Sequence, residues 1–208
     1  QKTALIDTVW TPYAKEYIDD LARVVALDKI DYIVANHTEV DRSGALPALL
    51  ESIPDTPVYC TANGAESLKG HYHKEWNFQI VRTGDTLDLG NSKQLVFLET
   101  PMLHWPDSMM SYLTVDNILF SNDIFGQNYS SKQIFNDLVD PEALYHESMK
   151  YYANTLTPYN RVVTDKIQEL IDSELEMRMI CPANGVIWRE QPSQIINRYL
   201  KWANHYRE

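Results

Sequence analysis

The run DYIVANH at residues 31–37 is almost continuously apolar, and it stands between two segments with the spacing of helices. Before it, TALIDTV (3–9) predicts a strand, and residues 11–25 predict a helix with Thr11 as N-cap and Pro12 at its first position. After it, SGALPALLES (43–52) has the apolar spacing of a helix. Strands that alternate with helices in this way are typical of a mixed α/β protein whose helices flank sheets.

Short strand-like runs dominate the middle of the chain, and helical spacing returns near its end. The runs alternate with Gly, Asn and Asp turns and predict a meandering antiparallel region. They are TPVYCTA, NFQIVRTG, DTLDLG, KQLVFLET, MMSYLTV and NILFSND. Residues 141–174 predict helices, MRMICPANG predicts a strand, and residues 191–208 predict a closing helix. No linker or repeat interrupts the chain, so we expect a single domain over residues 1–208.

Composition narrows the class of partner. The 208 residues are 44% hydrophobic and carry a net charge of −11 without any Lys/Arg run, which argues against binding nucleic acid through its phosphates. No apolar run has the length of a signal peptide or membrane span, so we expect no membrane partner and a cytoplasmic location. Cys60 and Cys181 lie far apart in sequence and are expected to be reduced thiols in the core.

The stretch NHTEVDRSG places His37, Glu39 and Asp41 on alternate residues in a loop between a strand and a helix. Imidazole nitrogen and carboxylate oxygen suit iron, manganese or zinc. The alternation alone is a weak signal and is more often a solvated polar loop than a metal site. His104 and Asp123 also lie in short loops that follow predicted strands, where functional groups of α/β proteins gather, and this favours a metal site.

Four blocks of the chain resemble one family, and they occur in that family's order. NHTEVDRSGAL, ETPMLHWPDSMMSYLT, LFSNDIFGQ and NGVIWR look like the β-lactamase-like domain of flavodiiron proteins, in particular its nitric-oxide-reducing branch. The resemblance covers essentially all of the chain. It implies a metallo-β-lactamase-like αββα sandwich, here without the family's first strands. It also implies a non-haem diiron site that reduces nitric oxide or dioxygen with electrons from FMN on a following flavodoxin domain.

Transferred residue by residue, the resemblance implies that the first iron is held by His37, Glu39 and His104, with Asp123 bridging to a second iron on Asp41. Three positions depart from the family, because Arg42, Asn128 and Asn184 stand where it has histidine. We expect Asn184 to be a weaker amide ligand. Arg42 cannot ligate a metal, but it can hydrogen-bond Asp41 or an anionic bound oxygen species. The first half of the site is therefore complete and the second half weakened.

The resemblance leaves two functions from different classes. No phosphate-binding loop for FMN occurs in the chain, so electrons must come from outside. We favour a diiron protein that binds dioxygen or iron as a sensor and holds a peroxide-like adduct, as in stand-alone oxygen-binding diiron proteins linked to chemotaxis. The alternative is the diiron subunit of a nitric oxide or dioxygen reductase fed by a separate flavoprotein or rubredoxin. A mononuclear hydrolase is the weakest interpretation, because no catalytic base is identified.

Partners and neighbouring residues complete the expectations. A sensor would require a signalling protein as its partner, and a reductase would require an electron-transfer protein. The resemblance to the family also implies a homodimer. Trp105, Phe125 and Tyr129 flank the ligands and are expected either as core residues or as walls of a small gas pocket. Asn36 and Asp107 stand beside ligands and are expected to orient them. His71 and His73 are expected to be solvated.

Overall fold

The structure is a computed structural model that describes residues 1–205, in which strands of two sheets alternate with helices. The chain divides into two compact units. The first comprises Gln1–Glu99 and Asp107–Met109, and the second comprises Thr100–Pro106 and the residues from Met110 onward. The single domain over 1–208 stays a prediction, and its last three residues lie outside the described part.

The first unit is built on a parallel sheet with strand order β1-β2-β3-β4. One register row runs Leu5, Ile33, Val58 and Phe78, so the strands match apolar positions across the sheet. The strands are β1 Ala4–Ile6, β2 Tyr32–Val34, β3 Val58–Cys60 and β4 Phe78–Ile80; the helices are α1 Ala14–Val24, α2 Val40–Ser43, α3 Leu46–Ser52 and α4 Ala62–Tyr72; an antiparallel pair follows, β5 Thr86–Gly90 and β6 Lys93–Glu99.

The first helix begins later than its sequence predicts. Residues Thr11–Tyr13 form a 3-10 turn, α1 begins at Ala14, and no side chain caps either element. The Thr11 hydroxyl instead donates to the Gly44 carbonyl at 3.2 Å, so the prediction of Thr11 as N-cap was wrong. A hydroxyl recruited by a distant loop is not available to the helix that follows it.

The region between β3 and β4 also differs from the predicted antiparallel meander. Helix α4 connects these strands, and both belong to the parallel sheet. Thr61 caps α4 by accepting the Gly64 N–H at 3.0 Å, and the helix ends at His73, whose φ of 52° is left-handed. His71 therefore lies on this helix. The antiparallel prediction is confirmed for β5 with β6.

In the part that the structure describes, the second unit combines three strands with three α-helices. Strand β7 pairs antiparallel with β8, and β8 pairs in parallel with β9. The elements are β7 Met109–Leu113, of which Met109 belongs to the first unit, β8 Ile118–Asn122, α5 Pro141–Thr155, α6 Asn160–Asp172, β9 Met179–Pro182 and α7 Ser193–His205. Asp140 caps α5 by accepting the Ala143 N–H at 2.7 Å. The helices predicted for 141–174 are confirmed, and α7 is confirmed up to His205.

Aromatic rings fill the core of the second unit. Tyr199 is fully buried, with ring centroids 4.8 Å from Phe125 and 5.0 Å from Tyr152. Trp188 is also fully buried, and its indole N–H donates to the Phe125 carbonyl at 2.8 Å. Since Phe125 follows Asp123 by two residues, this core supports the loop that carries a predicted metal ligand.

Both cysteines are free thiols, as predicted. Cys60 is buried in the core of the first unit, whereas Cys181 is only half-buried. Burial raises the pKa of Cys60 to about 12 and that of Cys181 to about 11. Thiols with such pKa values carry almost no thiolate at neutral pH, so neither has the character of a nucleophile.

Candidate metal centre

His37 is held rigidly where the chain leaves β2. Its side chain is fully buried, and its Nδ1 lies 2.9 Å from Oδ2 of Asp107. The backbone just before it is fixed as well, because the Asn36 carbonyl accepts the Met109 N–H at 2.9 Å. With Nδ1 directed at Asp107, the Nε2 atom points to Glu39, whose Oε2 is 3.4 Å away. A metal-binding histidine is oriented in this way by its second ring nitrogen.

Asp107 is an acceptor on which three hydrogen bonds converge. Besides His37, the Thr38 N–H and the Thr38 hydroxyl each donate to its Oδ2 at 2.8 Å. Burial alone would raise the pKa of Asp107, but these hydrogen bonds outweigh burial and leave the pKa below its ordinary value. Asp107 is thus a buried carboxylate that contacts His37, as predicted for a residue that orients a ligand.

An Asp107→Asn variant is expected to weaken metal binding by about 10- to 100-fold, because it removes the charged partner of His37 without removing any ligand. The measurement is the dissociation constant for ferrous iron under anaerobic conditions. Asp116→Asn, in the β7–β8 turn and outside the predicted ligand loops, provides the matched control. Equal affinities of Asp107→Asn and the parent chain would contradict an orienting role for Asp107.

His104 and Asp123 form a second histidine–carboxylate pair. The Nε2 atom of His104 lies 3.3 Å from Oδ2 of Asp123, and their side chains are 19% and 4% exposed. Asp123 directly follows β8, and its carbonyl accepts the Gly126 N–H at 3.1 Å, which closes the loop in a tight turn. The Trp105 ring stands edge-on to the His104 ring, 6.3 Å away. The loop that carries His104 is therefore lined by an aromatic side chain.

Four predicted ligands form one group that could hold a metal ion. One ligand atom from each of His37, Glu39, His104 and Asp123 lies within 4.8 Å of the others. Two imidazole nitrogens and two carboxylate oxygens are donors that iron, manganese and zinc accept. The donor set fits the first metal position that the resemblance implies.

Asp41 does not belong to this group among the described residues, and its carboxylate is in contact with Arg42. The Arg42 Nη1 atom lies 3.0 Å from Oδ2 of Asp41, and the Arg42 side chain is only 8% exposed. The expected contact between these two side chains is therefore present. The donor set at this position, a carboxylate already bound by a guanidinium, fits a second metal ion poorly.

The remaining departures from the family lie in the second unit. The amide nitrogen of Asn184 donates to the hydroxyl of Tyr151 at 3.3 Å. Asn128 is exposed. Phe125 is fully buried in the aromatic core, which favours a core role over a pocket wall. His146 is exposed on α5.

Asp7 is a residue that the sequence reasoning missed. It follows β1, and its Oδ1 accepts the Asn36 N–H at 2.7 Å, next to His37. Burial raises the pKa of Asp7 to about 7, and hydrogen bonding by Asn36 and the charge of Arg42 act in the opposite direction. The signal in the sequence was a single acidic residue directly after an apolar strand.

Comparison with known proteins decides the family. The model of the ODP family beta lactamase matches residues 1–185. The chain belongs to this family. The anaerobic nitric oxide reductase flavorubredoxin of Klebsiella pneumoniae is 54% identical over 100% of this chain and 43% of the relative. A flavorubredoxin homolog of Escherichia coli O157:H7 is also 54% identical, and the chain spans 51% of it.

Solved structures agree with this ODP family membership. Rubredoxin oxygen:oxidoreductase from Desulfovibrio gigas superposes with a TM-score of 0.94 at 38% identity, covering 98% of this chain and 51% of the other. The flavodiiron protein of Giardia intestinalis superposes with a TM-score of 0.91 at 33% identity, and the match covers 97% of this chain and 49% of the other. The predicted flavodiiron resemblance and metallo-β-lactamase-like fold class are confirmed. Within the described residues, no helix combines the length and apolar character needed to cross a bilayer.

Proposed function

We propose that this chain provides a non-haem iron centre at which nitric oxide or dioxygen binds and is reduced. The observation that carries the proposal is the group formed by His37, Glu39, His104 and Asp123, in a chain 54% identical to nitric oxide reductase flavorubredoxins. These four residues hold the first iron. Asp41 is proposed as a ligand of a second, weaker position, because Arg42 already contacts its carboxylate.

Each residue around the centre has a definite task in this proposal. Ferrous iron, when bound, supplies electrons and an open position for a diatomic gas. Asp107 holds the Nδ1–H of His37 and so directs Nε2 to the metal. Arg42 places a permanent positive charge beside Asp41, where it can hydrogen-bond an anionic product of reduction. The Trp105 ring, edge-on to His104, is the proposed wall of the space for a ligand.

Reduction requires an electron donor, and the names of relatives indicate its class. They are called flavorubredoxin and rubredoxin oxygen:oxidoreductase. A flavoprotein or a rubredoxin is therefore the proposed electron-transfer partner, and a homodimer remains part of the proposal. Because the chain spans only about half of these relatives, activity and partners are proposed for this domain and not transferred from them.

A second candidate function is a sensor that binds dioxygen without turnover. The contact between Arg42 and Asp41 favours it, since a fixed cation beside the centre stabilises negative charge on a bound ligand. Under this alternative the partner is a signalling protein. The two candidates share the metal centre and differ in how long the bound gas persists.

The test loads the chain anaerobically with ferrous iron, measures iron by elemental analysis, and then adds nitric oxide or dioxygen. Repeated consumption of the gas with a reduced rubredoxin or flavoprotein as donor supports the reductase. A coloured band that persists for minutes, without consumption, supports the sensor. A chain that retains no iron contradicts both candidates.

A further inference from the structure

Arg42 and Asp41 are neighbours in α2, yet their environments differ. The Arg42 side chain is 8% exposed, whereas the Asp41 side chain is 45% exposed. Their contact, 3.0 Å from Nη1 to Oδ2, therefore joins a buried cation to a partly exposed side chain whose Oδ1 atom is buried. A solvated ion pair would be worth little, but a pair with one buried member is screened much less by water.

The backbone of Arg42 is held in place by Thr8, two residues after strand β1. Both the N–H and the hydroxyl of Thr8 donate to the Arg42 carbonyl, at 2.7 and 2.8 Å. The buried carboxyl of Asp7 also lies within the electrostatic reach of the guanidinium. The charge of Arg42 therefore acts on two carboxyl groups, and it contacts the one that is the second iron's predicted ligand.

A metal ion that uses Asp41 must compete with this guanidinium. Arginine does not lose its proton in proteins, so the positive charge cannot be removed by metal binding. The ion must either share the Asp41 carboxylate with Arg42, against the repulsion of like charges, or displace a largely buried side chain. Both routes weaken a second ion. Neither affects the four donors of the first position directly, because none of them is Asp41.

We propose that Arg42 is a built-in competitor for the second metal position. This inference rests on the proposed function, in which His37, Glu39, His104 and Asp123 hold the first ion. The chain binds one iron tightly and a second only at considerably higher iron concentration. Its metal stoichiometry, one or two ions per chain, then follows the supply of ferrous iron, and Arg42 determines where the transition lies.

The experiment is anaerobic equilibrium dialysis of the chain against a series of free ferrous iron concentrations, with elemental analysis of iron per chain. For the parent we expect two separated steps. In Arg42→Ala and Arg42→Gln the second dissociation constant is expected to fall by at least about tenfold, since a positive charge is removed from beside Asp41. Arg42→Lys keeps the charge and is expected to keep the second step weak. Adding Asp41→Asn to Arg42→Ala is expected to remove the second step.

Arg189→Ala serves as the matched control. Arg189 lies in the second unit, and its Nη2 atom is 2.7 Å from Oδ2 of Asp137. It is not part of the proposed centre. Both iron steps are expected to be unchanged in this variant. Circular dichroism confirms that each variant is folded, and Arg42→Gln retains much of the side-chain volume should Arg42→Ala fold poorly.

The possible results distinguish a failure of the proposed role of Arg42 from a failure of the proposed iron centre. Two equally tight ions in the parent, or an unchanged second step in both neutral variants, would overturn the role of Arg42 and leave the iron centre standing. If the parent binds no iron at any concentration, the proposed function fails, and the competitor role fails with it. A lowered second dissociation constant in the neutral variants only, with Arg189→Ala unchanged, supports the inference.

Discussion

A His104→Ala variant is expected to bind ferrous iron at least about 100-fold more weakly than the parent, because loss of a direct ligand exceeds the loss of an outer partner. His104 is the one imidazole that accompanies Asp123, at 3.3 Å, and its removal leaves three donors in the proposed group. Three donors without this imidazole are a poorer match for a borderline metal ion. Anaerobic dialysis followed by elemental analysis measures the effect.

The control for this variant is His146→Ala. His146 is exposed on α5 and has no place in the proposed centre, so its removal is expected to leave iron content unchanged. Because His104 is 19% exposed, its replacement should not unfold the chain, and the melting temperature of the metal-free protein checks this. Equal iron affinity in His104→Ala and the parent would remove His104 from the ligand set.

A Trp188→Ala variant is expected to lower the free energy of unfolding by about 3–5 kcal/mol, the range for removing a fully buried aromatic side chain. Trp188 is 0% exposed, and its indole N–H is a hydrogen-bond donor to the Phe125 carbonyl. The variant therefore leaves a cavity and removes one of the two hydrogen bonds that the Phe125 carbonyl accepts, the other coming from the Gln127 side chain. Urea unfolding followed by circular dichroism measures the change.

Trp10→Ala is the matched control, because Trp10 is 49% exposed. We expect it to change the free energy of unfolding by less than about 1 kcal/mol. For Trp188→Phe we expect a loss in the free energy of unfolding between those of Trp188→Ala and Trp10→Ala. The phenyl ring fills most of the volume of the indole but cannot donate a hydrogen bond to the Phe125 carbonyl. A loss below about 1 kcal/mol in Trp188→Ala would contradict the role of this side chain in the core.

The parts of the fold that could be predicted are those with strong local signals. The apolar strand before His37 and the helices over 141–174 appear where their spacing predicts them. Helix α4 could not be predicted, because its segment contains Gly64 and Gly70, which are weak helix formers. What stabilises it is the Thr61 cap and packing of Leu68 in the core, and packing partners cannot be read from a local pattern.

The proposed centre shows the same division. Residues near one another in sequence, such as His37 and Glu39, were identified from their alternation together with the loops of His104 and Asp123 and the family resemblance. Asp7 was missed because its link to the centre depends on the pairing of β1 with β2, which brings Asp7 to Asn36 across 29 positions. Parallel pairing between separated strands has no signature in the residues themselves. The contact of Arg42 with Asp41 was predicted as one of two possible interactions, the other being with an anionic oxygen species. It could be predicted because side chains of adjacent residues can meet in only a few ways.

The interleaving of the two units along the chain limits how such a domain could have been assembled in evolution. Asp107–Met109 belongs to the first unit, although the residues immediately before and after it belong to the second. A break after Glu99 would leave His37 without Asp107, the carboxylate that orients it. No single recombination point in the gene transfers either unit whole. The two halves of the chain are therefore expected to be inherited together, and to tolerate substitution more readily than exchange.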